Sequence, residues 1–297
     1  MTRHAILFGL NYEHTMCGKS DSYSVHGTEQ RKEFEGLKPL RGSINDVKKM
    51  KKMLSNEFFH FDNIRTFTDN TCPSENCPKE FCCDKTTVSG ILEEMNALAQ
   101  RSIDEQLEVA WIHFSGHAVP VYDDSYDERD WYDECIVPSD FRTNGYISDD
   151  CIREVLKKFN PSTKVVCVFD CNHSGTIGDL KYRFLECGES VHREHNKTAC
   201  EAKIILIGAC QDSSAAFEIE MGKKNRTEEV DDDDKKYSGG LTTSIISSIN
   251  GMGGDPKQIG IHKMMKKIRK QVDKKVFNSQ YPELTCSYFI EENETLF

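Results

Sequence analysis

The sequence predicts an α/β fold, a mostly parallel central sheet of about six or more strands sandwiched by helices. Three observations point there. Apolar runs short enough for strands alternate with stretches whose apolar residues recur at helical spacing, so the order reads strand, helix, strand, helix. One run, Lys164–Asp170, lacks polar alternation, the pattern of a strand covered on both faces in a parallel sheet, and Leu107–Phe114 is a second strand candidate. Both then stop abruptly, in Ser115-Gly116-His117 and in Cys171-Asn172-His173-Ser174-Gly175. If the two strands lie parallel, these residues meet at one carboxyl edge, where open α/β sheets place their sites.

Each element follows in order. A first strand is expected near 4–10 and a helix near 43–57, with Val47, Met50, Met53 and Leu54 on one face. A short strand at 64–67 and a helix near 87–100 come next. Beyond Leu107–Phe114 lie an acidic loop, a short strand at 135–137, and a helix over 149–159 that Ser148 is placed to cap. The Val165–Asp170 strand completes the first half, residues 1–200, of a single domain spanning 1–297. The second half, 201–297, begins with a strand at Lys203–Gly208. Helices at 240–250 and 257–277 flank a Gly251–Gly254 break, and Leu284–Ile290 is the last strand. Residues 217–238 are polar without apolar period, which predicts an exposed, mobile loop of mixed acidic and basic character.

Composition narrows the function classes. The 297 residues are 37% hydrophobic, enough for a substantial core. A net charge of −11 argues against a general nucleic-acid binder, and the basic stretch Lys263–Lys275 reads as a solvated helix face. No apolar run approaches the roughly 18 residues of a membrane span, and residues 1–10 lack the pattern of a secretory leader, so a cytoplasmic protein with no membrane span is expected. The 13 cysteines are odd in number and include Cys167 and Cys210 in apparent core strands, which favours reduced thiols. Cys72, Cys77, Cys82 and Cys83 crowd one loop, while Cys187, His192, His195 and Cys200 offer tetrahedral Zn2+ ligands at nearly symmetric spacing. Neither set has a familiar finger spacing, and reduced surface thiols on insertions are the alternative reading.

Three motifs carry the chemistry: Leu40-Arg41-Gly42-Ser43-Ile44-Asn45-Asp46-Val47, then Phe114-Ser115-Gly116-His117, then Asp170-Cys171-Asn172-His173-Ser174-Gly175. In this order they resemble the LRGCxNDV, YSGHG and D-[SC]-C-H-S-G motifs of the metacaspases, within the caspase-like clan of cysteine peptidases. Weaker agreements extend the resemblance over nearly the whole chain. Ala5–Asn11 is similar to the opening strand ALLIGINY, Asp133–Pro138 to a DE-x-I-x-P element, and Gly239–Ile249 to a GGA-led helix of the small-subunit half. The resemblance implies a caspase-like fold with large-subunit-like and small-subunit-like halves. It also implies that lysines of the 217–238 loop match positions of proteolytic processing in active relatives.

For the site, the resemblance puts His117 at the catalytic base and Asn172 at the nucleophilic cysteine. In a cysteine–histidine dyad the imidazole takes the thiol proton, the thiolate attacks the scissile carbonyl, and backbone N–H groups, here that of Gly116, hold the oxyanion. A carboxamide has no displaceable proton and no lone pair comparable to a thiolate. Cys171 is the alternative nucleophile, although strand alternation turns it away from His117. Asp46, Ser115 and Asp170 would form an acidic pocket selecting lysine or arginine. Taken alone, Asp46 also suits a helix start and Asp170 a strand end. The resemblance further implies Ca2+ at Asp133, Asp149, Asp150 and Asp179, hard oxygen ligands appropriate to that ion. General acidity of the neighbouring loop is the competing account. The leading expectation is a metacaspase-like pseudopeptidase that binds Lys/Arg-containing peptides or proteins, or pairs with an active metacaspase relative. The others are an active Ca2+-dependent endopeptidase cutting after Lys/Arg through Cys171, and a zinc-organised scaffold.

Overall fold

The structure, a computed structural model, describes residues 2–13, 37–70, 83–122, 132–184, 191–193, 200–212, 214–220, 237–252, 260–276, 280–291 and 294–297. Its strands in chain order are β1 (Arg3–Gly9), β2 (Asn63–Thr68), β3 (Val109–Ser115), β4 (Ala118–Tyr122), β5 (Tyr132–Ile136), β6 (Ile147–Ser148) and β7 (Lys164–Asp170). There follow β8 (Tyr182–Phe184), β9 (Val191–Arg193), β10 (Lys203–Gly208), β11 (Glu218–Glu220), β12 (Tyr237–Gly239) and β13 (Glu283–Cys286). Eight of them make one sheet in the order β2-β1-β3-β7-β10-β13-β8-β9. From β2 to β10 the pairings are parallel, and from β10 to β9 antiparallel. The six central strands expected from apolar runs occupy consecutive places, β2 through β13. Strands β8 and β9 extend the sheet beyond them.

Burial explains the placement. Every residue of β1 and β3 is buried, and all of β7 except Lys164, so these strands need helices on both faces. Alternate side chains feed two cores. Ile6, Phe8, Ile112, Phe114, Val165 and Phe169 share one with Ile91, Met95 and Leu98 of the helix Val88–Asp104 and with Ile152 and Val155 of the helix Asp149–Leu156. Ala5, Leu7, Trp111, Val166 and Val168 pack with Val47 and Met50 of the helix Ser43–Leu54, Ile245 of Gly240–Asn250 and Ile268 of Ile261–Val276. Fully burying each such large apolar side chain contributes about 1.5–3 kcal/mol. Among the described residues, no helix is long and apolar enough to cross a membrane.

Two helix starts carry side-chain caps. Thr87 accepts from Gly90 N at 3.1 Å, and Ser148 accepts from Cys151 N at 3.4 Å, as its position before the helix predicts. The latter helix ends at Leu156, short of the expected 159, with Lys157 as its C-cap. The expected loop at 217–238 is corrected at its ends. Strands β11 and β12 pair antiparallel, and Ser238 and Gly239 are buried. Ser238 and Gly239 donate to Asp46 in the first half of the chain, so no local pattern announces their burial. Residues 221–236, with Lys223, Lys224, Arg226, Lys235 and Lys236, lie outside the described residues. The short strand expected at 135–137 overlaps β5, which pairs with β4 and β6 in an unexpected second, antiparallel sheet next to the end of β3.

Candidate active site

Strands β3 and β7 pair in register with Ser115 opposite Asp170, so the segments leaving them emerge side by side. They open onto a cleft lined by Leu40, Ser43, Asp46, Ser115, Gly116, His117, Asp170, Cys171, Asn172, Ala216, Phe217, Glu218 and Gly239. The residues expected to carry base, nucleophile position, oxyanion donor and acidic pocket are therefore gathered in one place.

His117 is held at both its backbone and its ring. Its Nε2 lies 2.7 Å from the Lys38 carbonyl oxygen. A carbonyl only accepts, so Nε2 carries the hydrogen, and in the neutral ring Nδ1 keeps the lone pair. Burial lowers the pKa of the imidazole, and the bond to Lys38 partly offsets this. The backbone N–H donates to Tyr12 Oη at 2.9 Å, and the backbone carbonyl accepts from Val137 N at 3.0 Å. Tyr12 Oη in turn donates to the Val137 carbonyl at 2.6 Å. Tyr12 is fully buried at a positive φ of 61°, and Asp69 accepts from the main-chain N–H groups of Asn11 and Tyr12 at 2.8 and 2.6 Å. Gly116 has to be glycine here, since a Cβ would lie 2.7 Å from Tyr12 Oη. Its N–H makes a long 3.4 Å bond to the Asp170 carbonyl.

The two pocket aspartates are deeply buried and saturated from within. Asp46 accepts from Ser115 Oγ at 2.8 Å, from Gly239 N at 3.0 and 2.9 Å to its two oxygens, and from Ser238 Oγ. Asp170 Oδ2 accepts from Thr242 N at 2.7 Å, in the first turn of the Gly240–Asn250 helix, where the helix dipole favours a carboxylate. Burial first, and then repulsion from Asp170, pushes the Asp46 carboxyl up to about 7. Burial likewise raises Asp170. A Cβ on Gly239 would stand 2.1 Å from Asp170 Oδ2 and 2.7 Å from Asp46 Oδ2, so these acids approach a glycine backbone by necessity.

Asn172 and Cys171 point to different surroundings. Asn172 Oδ1 accepts from Ala216 N at 2.7 Å, within the cleft. Cys171 is 1% exposed and belongs to the apolar core containing Phe114 and Phe169, and burial pushes its thiol far above its usual range. Several participants were not singled out from sequence. Tyr12 directly follows the quoted opening segment, at the place of the tyrosine that ends ALLIGINY, and that was the available signal. Glu218, which accepts from Arg41 N at 2.8 Å and from Gly42 N, and the carbonyl of Lys38 had none.

The candidate metal positions fare differently. Asp133 is half-buried on β5, Asp149 and Asp150 begin the Asp149–Leu156 helix, and Asp179 is buried at a φ of 50°. Asp149 already accepts from Glu134 N at 3.2 Å and from Asp150 N at 2.8 Å. Among the described residues no group of three or more His, Cys, Asp or Glu side chains is arranged to hold a metal ion, and the neighbouring acidic loop 123–131 lies outside them. Of the zinc candidates, Cys187 and His195 lie outside the described residues, and His192 is placed only as backbone of β9. Cys200 sits in the apolar core, with its thiol raised by burial. Cys72, Cys77 and Cys82 lie outside the described residues, and Cys83 begins a short 3-10 turn.

Comparison with known proteins agrees with this geometry. Residues 3–181 match the family model described as metacaspase, peptidase C14 domain. Metacaspase-1 of Lodderomyces elongisporus is 33% identical over 59% of this chain and 37% of its own length. Inactive metacaspase-4 of Trypanosoma brucei brucei is 31% identical over 61% of this chain and 51% of its own length. The chain thus spans about half or less of the curated relatives it matches. A solved structure from Geobacter sulfurreducens shares the fold at a TM-score of 0.58 and 17% identity, covering 98% of this chain and 95% of that one. With the family model matching 179 of 297 residues, from 3 to 181, and the motifs of that stretch converging on one cleft, the chain belongs to the metacaspase family.

Proposed function

We propose that this metacaspase-family protein recognises Lys- or Arg-containing peptides in the His117 cleft and has lost, or nearly lost, the capacity to cut them, because Asn172 stands at the nucleophile position. The observation that carries the reading is the Asn172 carboxamide itself, lining the cleft with its oxygen engaged by Ala216 N–H at 2.7 Å. In acyl transfer the base needs an acidic proton on a nucleophile, and residue 172, which lines the same cleft as His117, offers a carboxamide instead. Losing the nucleophile usually removes nearly all catalysis and leaves what positioning and the oxyanion hole supply. Asp46 and Asp170 support recognition of a basic side chain. Such a protein would act in the cytoplasm by sequestering basic peptides or by pairing with an active metacaspase relative. No step of this reading runs through calcium or zinc.

A second reading, an active Lys/Arg-specific endopeptidase using Cys171, draws support from the intact base and acidic pair. Against it stands a thiol that is 1% exposed and raised by burial, so it supplies little thiolate. Hydrolysis of Lys- and Arg-terminated reporter peptides, with and without Ca2+, separates the two when measured for the parent, Cys171→Ala and Asn172→Cys. The proposal expects an inert parent and activity in Asn172→Cys. Robust parental turnover that Cys171→Ala abolishes would establish the second reading instead.

A further inference from the structure

Loss of a nucleophile does not require asparagine, and the surroundings of Asn172 give its carboxamide work of its own. The turn after β7 and the segment after β10 face each other through successive hydrogen bonds. Thr176 N donates to Asp212 Oδ1 at 2.9 Å, the His173 ring Nδ1 meets the Asp212 carbonyl, and His173 N donates to the Ser214 carbonyl at 3.2 Å. Asn172 extends the series toward the cleft by accepting from Ala216 N. Ala216 opens the wall formed with Phe217 and Glu218, whose later anchors are Gln280 Oε1, 3.1 Å from Phe217 N, and the Arg41 and Gly42 N–H groups on Glu218.

We infer that Asn172 is a positioning residue whose side-chain oxygen fixes the Ala216–Glu218 wall of the cleft. The chemistry is specific to the residue type. A carboxamide or carboxylate oxygen is a strong acceptor at this reach, a thiol sulfur a weak one, and a methyl group none. Leaving the Ala216 N–H without its acceptor would release the near end of the wall, whereas a wall ordered in advance lowers the entropic cost of binding a peptide. Residue 172 therefore supplies an acceptor where the family supplies a sulfur. Installing cysteine there adds a nucleophile and removes an anchor in the same step. Only the peptide arm of the test below rests on the proposed recognition of basic peptides.

Amide hydrogen exchange, resolved to single residues on the full chain, decides the matter for the parent, Asn172→Asp, Asn172→Ala and Asn172→Cys. Exchange at Ala216 is expected to quicken about threefold to tenfold in the Ala and Cys variants, the usual net worth of one hydrogen bond. It should stay near parental in Asn172→Asp, which keeps the acceptor, and exchange at Val168 in β7 should be unchanged throughout, which excludes general unfolding. An unchanged Ala216 rate in Asn172→Ala, or loss of protection in Asn172→Asp with Val168 still protected, overturns the inference. In the second arm, affinity for an Arg-terminated peptide should fall by a similar factor in Asn172→Ala and be retained in Asn172→Asp. Unchanged affinity alongside faster Ala216 exchange overturns the positioning role. Failure of the parent itself to bind, with Ala216 exchange shifting as expected, overturns the recognition reading and supports the anchor.

Discussion

His117 Nε2 and the carbonyl oxygen of Lys38 lie 2.7 Å apart, and this contact decides the tautomer of the candidate base. Nitrogen-15 NMR should find His117 with hydrogen on Nε2 near neutral pH, and its titration midpoint should fall below the ordinary 6.5 because burial disfavours the cation. A resonance pattern showing hydrogen on Nδ1 would contradict the geometry.

Tyr12→Phe removes a hydroxyl that accepts from His117 N at 2.9 Å and donates to the Val137 carbonyl at 2.6 Å. Two buried backbone groups lose a partner, so urea denaturation should show a loss of about 1–3 kcal/mol. The His117 amide resonance should shift as well, since its N–H loses its acceptor.

On the proposed reading a basic side chain bound in the cleft places its charge near Asp46, whose buried carboxyl is pushed up to about 7. The cation favours the charged acid, so binding should expel a proton, and affinity for Arg-terminated peptides should rise as pH increases through about 7. Calorimetry in buffers of different ionisation enthalpy measures the proton directly. Asp46→Asn should abolish the release.

Two buried groups pull the pH dependence of stability in opposite directions. His113, on β3 beneath the pocket with Nε2 3.1 Å from Thr242 Oγ1, is lowered by burial from 6.5 to about 3. The unfolded chain binds the extra proton between these values, so this contribution is present above 6.5 and is lost as pH falls toward about 3. Asp46 is raised from 3.8 to about 7, so here the folded chain binds the extra proton, and the contribution is present below 3.8 and is lost as pH rises through about 7. Asp46→Asn should leave a profile in which stability climbs more steeply with pH across the acidic range, and urea titrations at several pH values would show it.

Gly239→Ala should cost about 1–3 kcal/mol, because its Cβ would overlap Asp170 Oδ2 at 2.1 Å and force the acids apart. Thermal melts read the stability, and the Asp46-dependent proton release should weaken with it.

How much of this was legible depends on distance along the chain. Apolar runs revealed β3 and β7, and the Val47, Met50, Met53 and Leu54 period revealed the Ser43–Leu54 helix, because neighbours in sequence supply those signals. His117, Asp46 and Asp170 sit in motifs, and the parallel register of β3 and β7 brings the His117 segment beside Asp170 while Ser115 at that edge reaches Asp46 on the Ser43–Leu54 helix. The groups that hold them were not found so readily. Lys38 reaches His117 across 79 positions, Tyr12 across 105, and Glu218 reaches Arg41 across 177. A backbone carbonyl carries no residue signature at all. Strands of two to five residues such as β4, β6, β11 and β12 are too short to show a period, and tertiary partners alone define them.

The bond from Gly239 N to Asp46 has a temporal meaning as well as a spatial one. Its partners are 193 residues apart, so a ribosome adding roughly 5–20 residues per second delivers the acid roughly ten to forty seconds before its donor. Until then Asp46 lacks the donors Ser238 and Gly239. A chain interrupted before residue 238 therefore carries the acid without the donors that bury it.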